Sequence, residues 1–288
     1  MMWLFLGCID SNVTEITLDA IAVVQGDFDD MRTVLTRNDI GSAEVNGYID
    51  QATWWVGDDR PQRDDPGKTV EALLTGVDEL DSEWEIRNYN AVFMSSGTRG
   101  FNELRYNYTV EADDTLLVDP DAVPNVCEWL EHGASFVATD WAYEVVERCW
   151  PGAIEFYGWD EEVDAAQVGA AGDVLADVPD AALAEALGTS VVNLTFNYSA
   201  FAVMESVGEG VEVLLSGSVL FQPPGASAYE QLDNVPLAVR FPAGRGQVVF
   251  TSFHTVAQTL AIADAVLFRG VEGLESGAGQ DSVEAADE

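Results

Sequence analysis

The chain has 288 residues, 48% of them hydrophobic, with eight Trp and 13 Phe, enough to bury a large core and too apolar for a chain disordered throughout. It carries 51 acids against 12 bases, a formal net charge of −39, and Lys68 is its only lysine. That surface repels phosphate backbones and anionic headgroups, which argues against nucleic acid as a partner and against any membrane contact other than a lipid anchor. It also repels itself, so the melting temperature is expected to rise with KCl, as the Debye length shortens from about 30 Å at 0.01 M to about 3 Å at 1 M. A melting curve that stays flat or falls across that range contradicts this.

From the start of the chain, "MMWLFLGCIDSN" has a short apolar run and then Gly7-Cys8, with no basic residue before Arg32. Leu4 to Cys8 resembles the end of a bacterial lipoprotein signal, in which a small residue precedes the Cys that is lipidated. The expectation is therefore a signal and tether over 1–18, lipidation at Cys8 and a cell-envelope location, lipid-anchored or periplasmic. The competing reading is a cytoplasmic protein with an apolar start. With Cys8 lipidated, Cys127 and Cys149 remain as an even pair that an oxidising compartment joins; the alternative is two unrelated buried thiols. The cysteine spacing matches no zinc pattern, and neither a metal nor a cofactor is expected.

Residues 20–26, "AIAVVQG", form a continuous apolar run ending in Gly, the pattern of a strand buried on both faces. "DFDDMRTVLTRNDI" follows, its acids suited to a helix N-terminus. Residues 57–68 read as a charged loop with two prolines, and "YNAVFMSSG" (89–97) as a second buried strand. Residues 119–133 read as a helix stopped by Gly133, "ASFVAT" (134–139) as a third strand, and 141–149 as the helix after it, stopped by Pro151. The alternation predicts an α/β fold, doubly wound around a mostly parallel sheet.

The second half changes character. After a short helix at 181–188, "SVVNLTF", "AFAVMESV" and "VEVLLSGSVLF" read as strands, and 235–254 as a hairpin turning at "PAGR". An amphipathic helix over 255–271 closes the domain, which spans 19–272, and the acidic tail at 273–288 reads as disordered.

Two stretches carry a resemblance. "WLEHGASFVATDWA" looks like the approach to the elbow of the ThuA-like and class I glutamine amidotransferase-like superfamily. "PLAVRFPAGRGQVVFTSFH" is similar to that superfamily's late hairpin, and "YNAVFMSSG" fits its central strand. The resemblance implies a flavodoxin-like domain. It also places Asp140 where the amidotransferases carry their nucleophilic Cys, and His254 at the late His. Position 256, where the acidic partner of that His is usual, is Val. Glutamine hydrolysis is therefore not expected.

Candidate site residues lie at the strand ends, where open α/β sheets bind ligands. Asp140 reads either as the N-cap of the following helix or as a general base. Trp141 reads as core or lid, or as a platform for a sugar ring. His254 reads as a structural His or as the acid/base partner of Asp140. Ser95, Ser96, Gly97 and Thr98 offer N–H groups and hydroxyls to an anion. Asp27, Asp29 and Asp30 would form a cation cluster, a reading weakened by how common acids are in this chain. The Asn-X-Ser/Thr triplets at Asn107, Asn193 and Asn197 read as chance. Two functions remain open. One is a non-catalytic binding or accessory protein for a small polar ligand. The other is a hydrolase or isomerase of a small polar or carbohydrate-derived substrate, using Asp140 and His254.

Overall fold

The computed structural model describes residues 21–26, 28–45, 89–97, 127, 134–158 and 165–271. The tether with Cys8, the 57–68 loop, most of the 119–133 helix, Asp27, Thr98, His132 and the acidic tail lie outside these residues.

Strand β1 (Ile21–Val24) leads to helix α1 (Met31–Arg37) and strand β2 (Ala43–Val45). Strands β3 (Ala91–Met94) and β4 (Ser135–Thr139) follow, then a 3-10 turn (Asp140–Ala142) and helix α2 (Tyr143–Cys149). Next come β5 (Ile154–Phe156), β6 (Gln167–Gly169) and β7 (Gly172–Asp177), helix α3 (Ala181–Leu187), β8 (Val191–Phe196), β9 (Phe201–Ala202) and β10 (Met204–Val207). The long strands β11 (Glu212–Phe221) and β12 (Glu230–Ala243), strand β13 (Gly246–Thr251) and helix α4 (Leu260–Val271) complete the chain.

The main sheet is mixed. Strands β2-β1-β3-β4-β13 are parallel, in the order of a flavodoxin-like sheet. Beyond β13 the pairing turns antiparallel, through β12 and β11 to β6, β7, β8 and β9, and β5 pairs with β10 in a separate ribbon. The hairpin turns at Gly244-Arg245 between β12 and β13.

Why the parallel strands read as unbroken apolar runs is visible in the core. Side chains alternate between faces, and both faces are covered. Ile21, Val23, Phe93 and Val249 pack against α1 and α4 through Val34, Leu35, Val266 and Leu267. Val24, Met94, Phe136 and Phe250 pack on the opposite face against Val145 and Val146 of α2 and against Phe156 and Met204 of the ribbon. The Cys127–Cys149 disulfide, with Cα atoms 5.2 Å apart, ties α2 to the helical residue Cys127.

Local capping sets the helix starts. Asp30 accepts from Thr33 N–H at the head of α1. Asp180 accepts from Leu183 N–H at the head of α3, whose end is the left-handed Gly188 (φ 69°). Strands β5, β6 and β7 lie in 150–180, a stretch without a regular apolar period, and they went unread. The closing helix begins at Leu260, not at 255. Residues Thr255–Ala257 form a separate 3-10 turn, because the Asp29 carboxylate takes up the N–H groups of Thr255 and Val256. No helix among the described residues is long and apolar enough to cross a membrane.

Candidate functional site

All five parallel strands end on one edge. There they deliver Gly26 and Phe28 after β1, Ser95 to Gly97 after β3, Asp140 and Trp141 after β4, and His254 after β13. The first two loops touch directly. Phe28 N–H donates to Ser96 C=O at 3.2 Å, and a Cβ at Gly26 would sit 2.1 Å from that same carbonyl oxygen. Glycine at 26 is therefore required by the close backbone approach. Gly97 turns the β3 loop with φ 81°.

Asp140 is 2% exposed and His254 4% exposed, and they are in direct contact, Asp140 Oδ2 lying 2.9 Å from His254 Nε2. The rest of the carboxylate is also engaged. Oδ1 accepts Ala202 N–H at 2.7 Å, and Oδ2 accepts the Ser96 hydroxyl at 3.2 Å. The N-cap reading of Asp140 is thus corrected. Asp140 is the first residue of the 3-10 turn, Thr139 stands at the cap position, and no side chain caps that turn. Asp140 instead adopts φ 46°, a left-handed conformation that Asp and Asn tolerate better than other non-glycine residues. Burial raises its carboxyl above the usual carboxylate range, and the hydrogen bond and charge of His254 pull it back part of the way.

His254 is held from every side. Its Nδ1 lies 2.9 Å from Asn197 Oδ1 and its Nε2 also 3.1 Å from Ser96 Oγ. The orienting group expected two residues after the His thus comes from the end of β8. The backbone beside His254 is fixed as well. The Asp29 carboxylate accepts Thr255 N–H (2.9 Å), the Thr255 hydroxyl (2.7 Å), Val256 N–H (3.1 Å) and Asp30 N–H (2.9 Å). Gln258 donates to His254 C=O and pairs its amide with both the N–H and the C=O of Thr195 on β8.

Of the three acids weighed as a cation cluster, Asp29 anchors the His254 loop and Asp30 caps α1, with Asp27 outside the described residues. Among those residues no group of three or more His, Cys, Asp or Glu is placed to hold a metal ion. Ser96 is brought into the site, but its N–H is taken by Thr139 Oγ1 (2.9 Å), so the turn does not present it to an anion.

Trp141 is half-buried and donates its indole N–H to Ala200 C=O at 2.7 Å. Its ring meets Phe28 edge-on at 5.0 Å, and Tyr198 packs on both Phe28 (5.4 Å) and the His254 ring (5.6 Å). Tyr198 is 52% exposed, so these rings form an aromatic rim over a closed polar centre. Asn197, Gln258 and the role of Asp29 went unseen in the sequence. Asn197 stood out there only as the start of an Asn-Tyr-Ser triplet.

No protein-family model matches the chain, and no curated protein does. Among solved structures it is similar to a ThuA-like protein from Parabacteroides merdae (12% identity, TM-score 0.47, 89% of each chain covered). A ThuA-like protein from Bacteroides uniformis is similar at 10% identity and TM-score 0.46, with 92% of this chain and 95% of that one covered. A glutamine amidotransferase from Thermotoga maritima is similar at 7% identity and TM-score 0.44, with 88% and 82% covered. No residue role is carried over from these likenesses.

Proposed function

We propose that this protein is a binding or accessory module built on a class I glutamine amidotransferase-like domain, and that it does not hydrolyse glutamine. One observation carries the reading. The elbow position holds a carboxylate whose two oxygens already bond to Ala202 N–H, Ser96 and His254. Amide hydrolysis needs a nucleophile with a free lone pair facing the substrate carbonyl, and a carboxylate there would form an unstable mixed anhydride. The ligand face is the carboxyl edge of the parallel sheet, with Phe28, Trp141 and Tyr198 as its rim; aromatic rings of this kind suit a small ligand with polar edges and an apolar face. A cell-envelope location, with Cys8 lipidated, belongs to the same reading. The Cys127–Cys149 disulfide supports it, since such bonds persist in oxidising compartments.

The test is ammonia release from glutamine by purified protein. The expected result is no release above a protein-free control. Release that disappears in both Asp140→Asn and His254→Ala would overturn the reading and assign the pair an acid/base role.

A further inference from the structure

We infer that residues Asn197–Ala200, the strap between β8 and β9, act as a latch that covers the elbow site and must lift before a ligand reaches Trp141 and His254. Two site residues, Trp141 and His254, each give a bond to this one segment, while Asp140 is bonded by Ala202 N–H of the buried strand β9 that follows it. Ala200 C=O accepts the Trp141 indole N–H, and Asn197 Oδ1 meets His254 Nδ1. The strap thus presents two oxygen acceptors to groups a ligand would use, as an internal stand-in for one.

Its side chains differ from those of the buried strand β9 that follows it, where Phe201 and Ala202 sit in the core. Asn197, Tyr198 and Ser199 are exposed, and Ala200 holds φ 67°, a left-handed conformation strained for a residue with a Cβ. On the far side the strap is held by Ala200 N–H to Gly169 C=O at 2.6 Å and by Ala171 N–H to Ser199 Oγ at 3.3 Å. Segments with exposed side chains and few buried apolar contacts open at lower free energy than core strands. The aromatic rim follows the strap, because Tyr198 is part of it and packs at a tilt against Phe28 and His254.

The gating role rests on the reading of the carboxyl edge as the ligand face, but latch opening is measured without any ligand. Amide hydrogen exchange of the strap is compared with that of Val248–Phe250 in β13, and carbethoxylation of His254 by diethyl pyrocarbonate is followed by peptide mass. Strap amides are expected to exchange faster than those of β13, and His254 to react under conditions where β13 stays protected. Trp141→Phe keeps a ring but removes the donor to Ala200. It should raise both rates by about fivefold, the shift that one net hydrogen bond corresponds to, and leave β13 unchanged. Asn197→Ala, on the exposed side of the strap, should speed exchange at Tyr198–Ala200 in the same way and serves if the Trp141 variant does not fold. The latch is overturned if strap amides and His254 become accessible only together with β13, or if neither variant changes strap exchange. Failure of the glutamine prediction leaves these rates untouched, so the two readings fail separately.

Discussion

Replacing Asp140 with Ala is expected to lower the unfolding free energy by about 3–5 kcal/mol, since hydrogen bonds to a carboxylate contribute about 1.5–3 kcal/mol each and do not add fully. The deletion leaves Ala202 N–H, the Ser96 hydroxyl and His254 Nε2 without their shared acceptor in a site where both side chains are almost fully buried. It also puts Ala at φ 46°, where Asp is better tolerated. Asp140→Asn should cost far less, about 1 kcal/mol, because the amide oxygen can still accept from Ala202 while its NH2 faces two acceptors. Urea unfolding of the three proteins checks the order, and an Ala variant as stable as the Asn variant would show that the network contributes nothing.

The same pair of proteins gives a pH test whose sign follows from burial. The Asp140 carboxyl is raised above 3.8 in the folded state, so the folded protein binds that proton more tightly than the unfolded chain. The stabilisation this provides is fully present below 3.8 and is lost as pH rises through the folded value. Wild-type stability measured against Asp140→Asn should therefore decline as pH rises from about 4 and then level off. The large acidic surface is common to both proteins and cancels in the difference. A difference that grows with pH would mean that His254 and the hydrogen bonds outweigh desolvation.

Asp29→Ala should be nearly as damaging, at about 4 kcal/mol, since hydrogen bonds to a charged acceptor contribute about 1.5–3 kcal/mol each and do not add fully. Its carboxylate takes four donors, three of them from the turn that follows His254. For a domain of this size the loss corresponds to a fall in melting temperature of roughly 10 °C. The consequence is also local, because that turn holds His254 over Asp140. Asp30→Ala makes a useful contrast. Asp30, itself exposed, caps α1, and its loss should cost about 1 kcal/mol, although both acids come from one acidic run. Equal losses in the two variants would remove Asp29 from its role as an anchor for the His254 loop.

What could be read in the sequence was what is encoded by neighbours along the chain. The apolar runs at 20–26, 89–97 and 134–139 could only be strands covered on both faces, and they are β1, β3 and β4. The "PAGR" turn between two apolar runs specified the β12–β13 hairpin, and the alternation of strands and helices specified a parallel sheet. Since such a sheet collects its carboxyl ends on one edge, the sequence already points to Ser96, Asp140, Trp141 and His254 as neighbours.

The bonding partners of those residues come through contacts that no local pattern encodes. Asn197 reaches His254 across 57 residues, Ala202 reaches Asp140 across 62, and Asp29 reaches Thr255 across 226. An Asp before a helix is by itself a good N-cap, and three Asp in a row of four make a plausible cation cluster. Asp140 instead takes Ala202 N–H and Asp29 takes the turn after His254, while Asp30 is bonded locally by Thr33. A buried carboxylate must find hydrogen-bond partners wherever the folded chain supplies them, and in this protein strand β9 and the turn after β13 supply them.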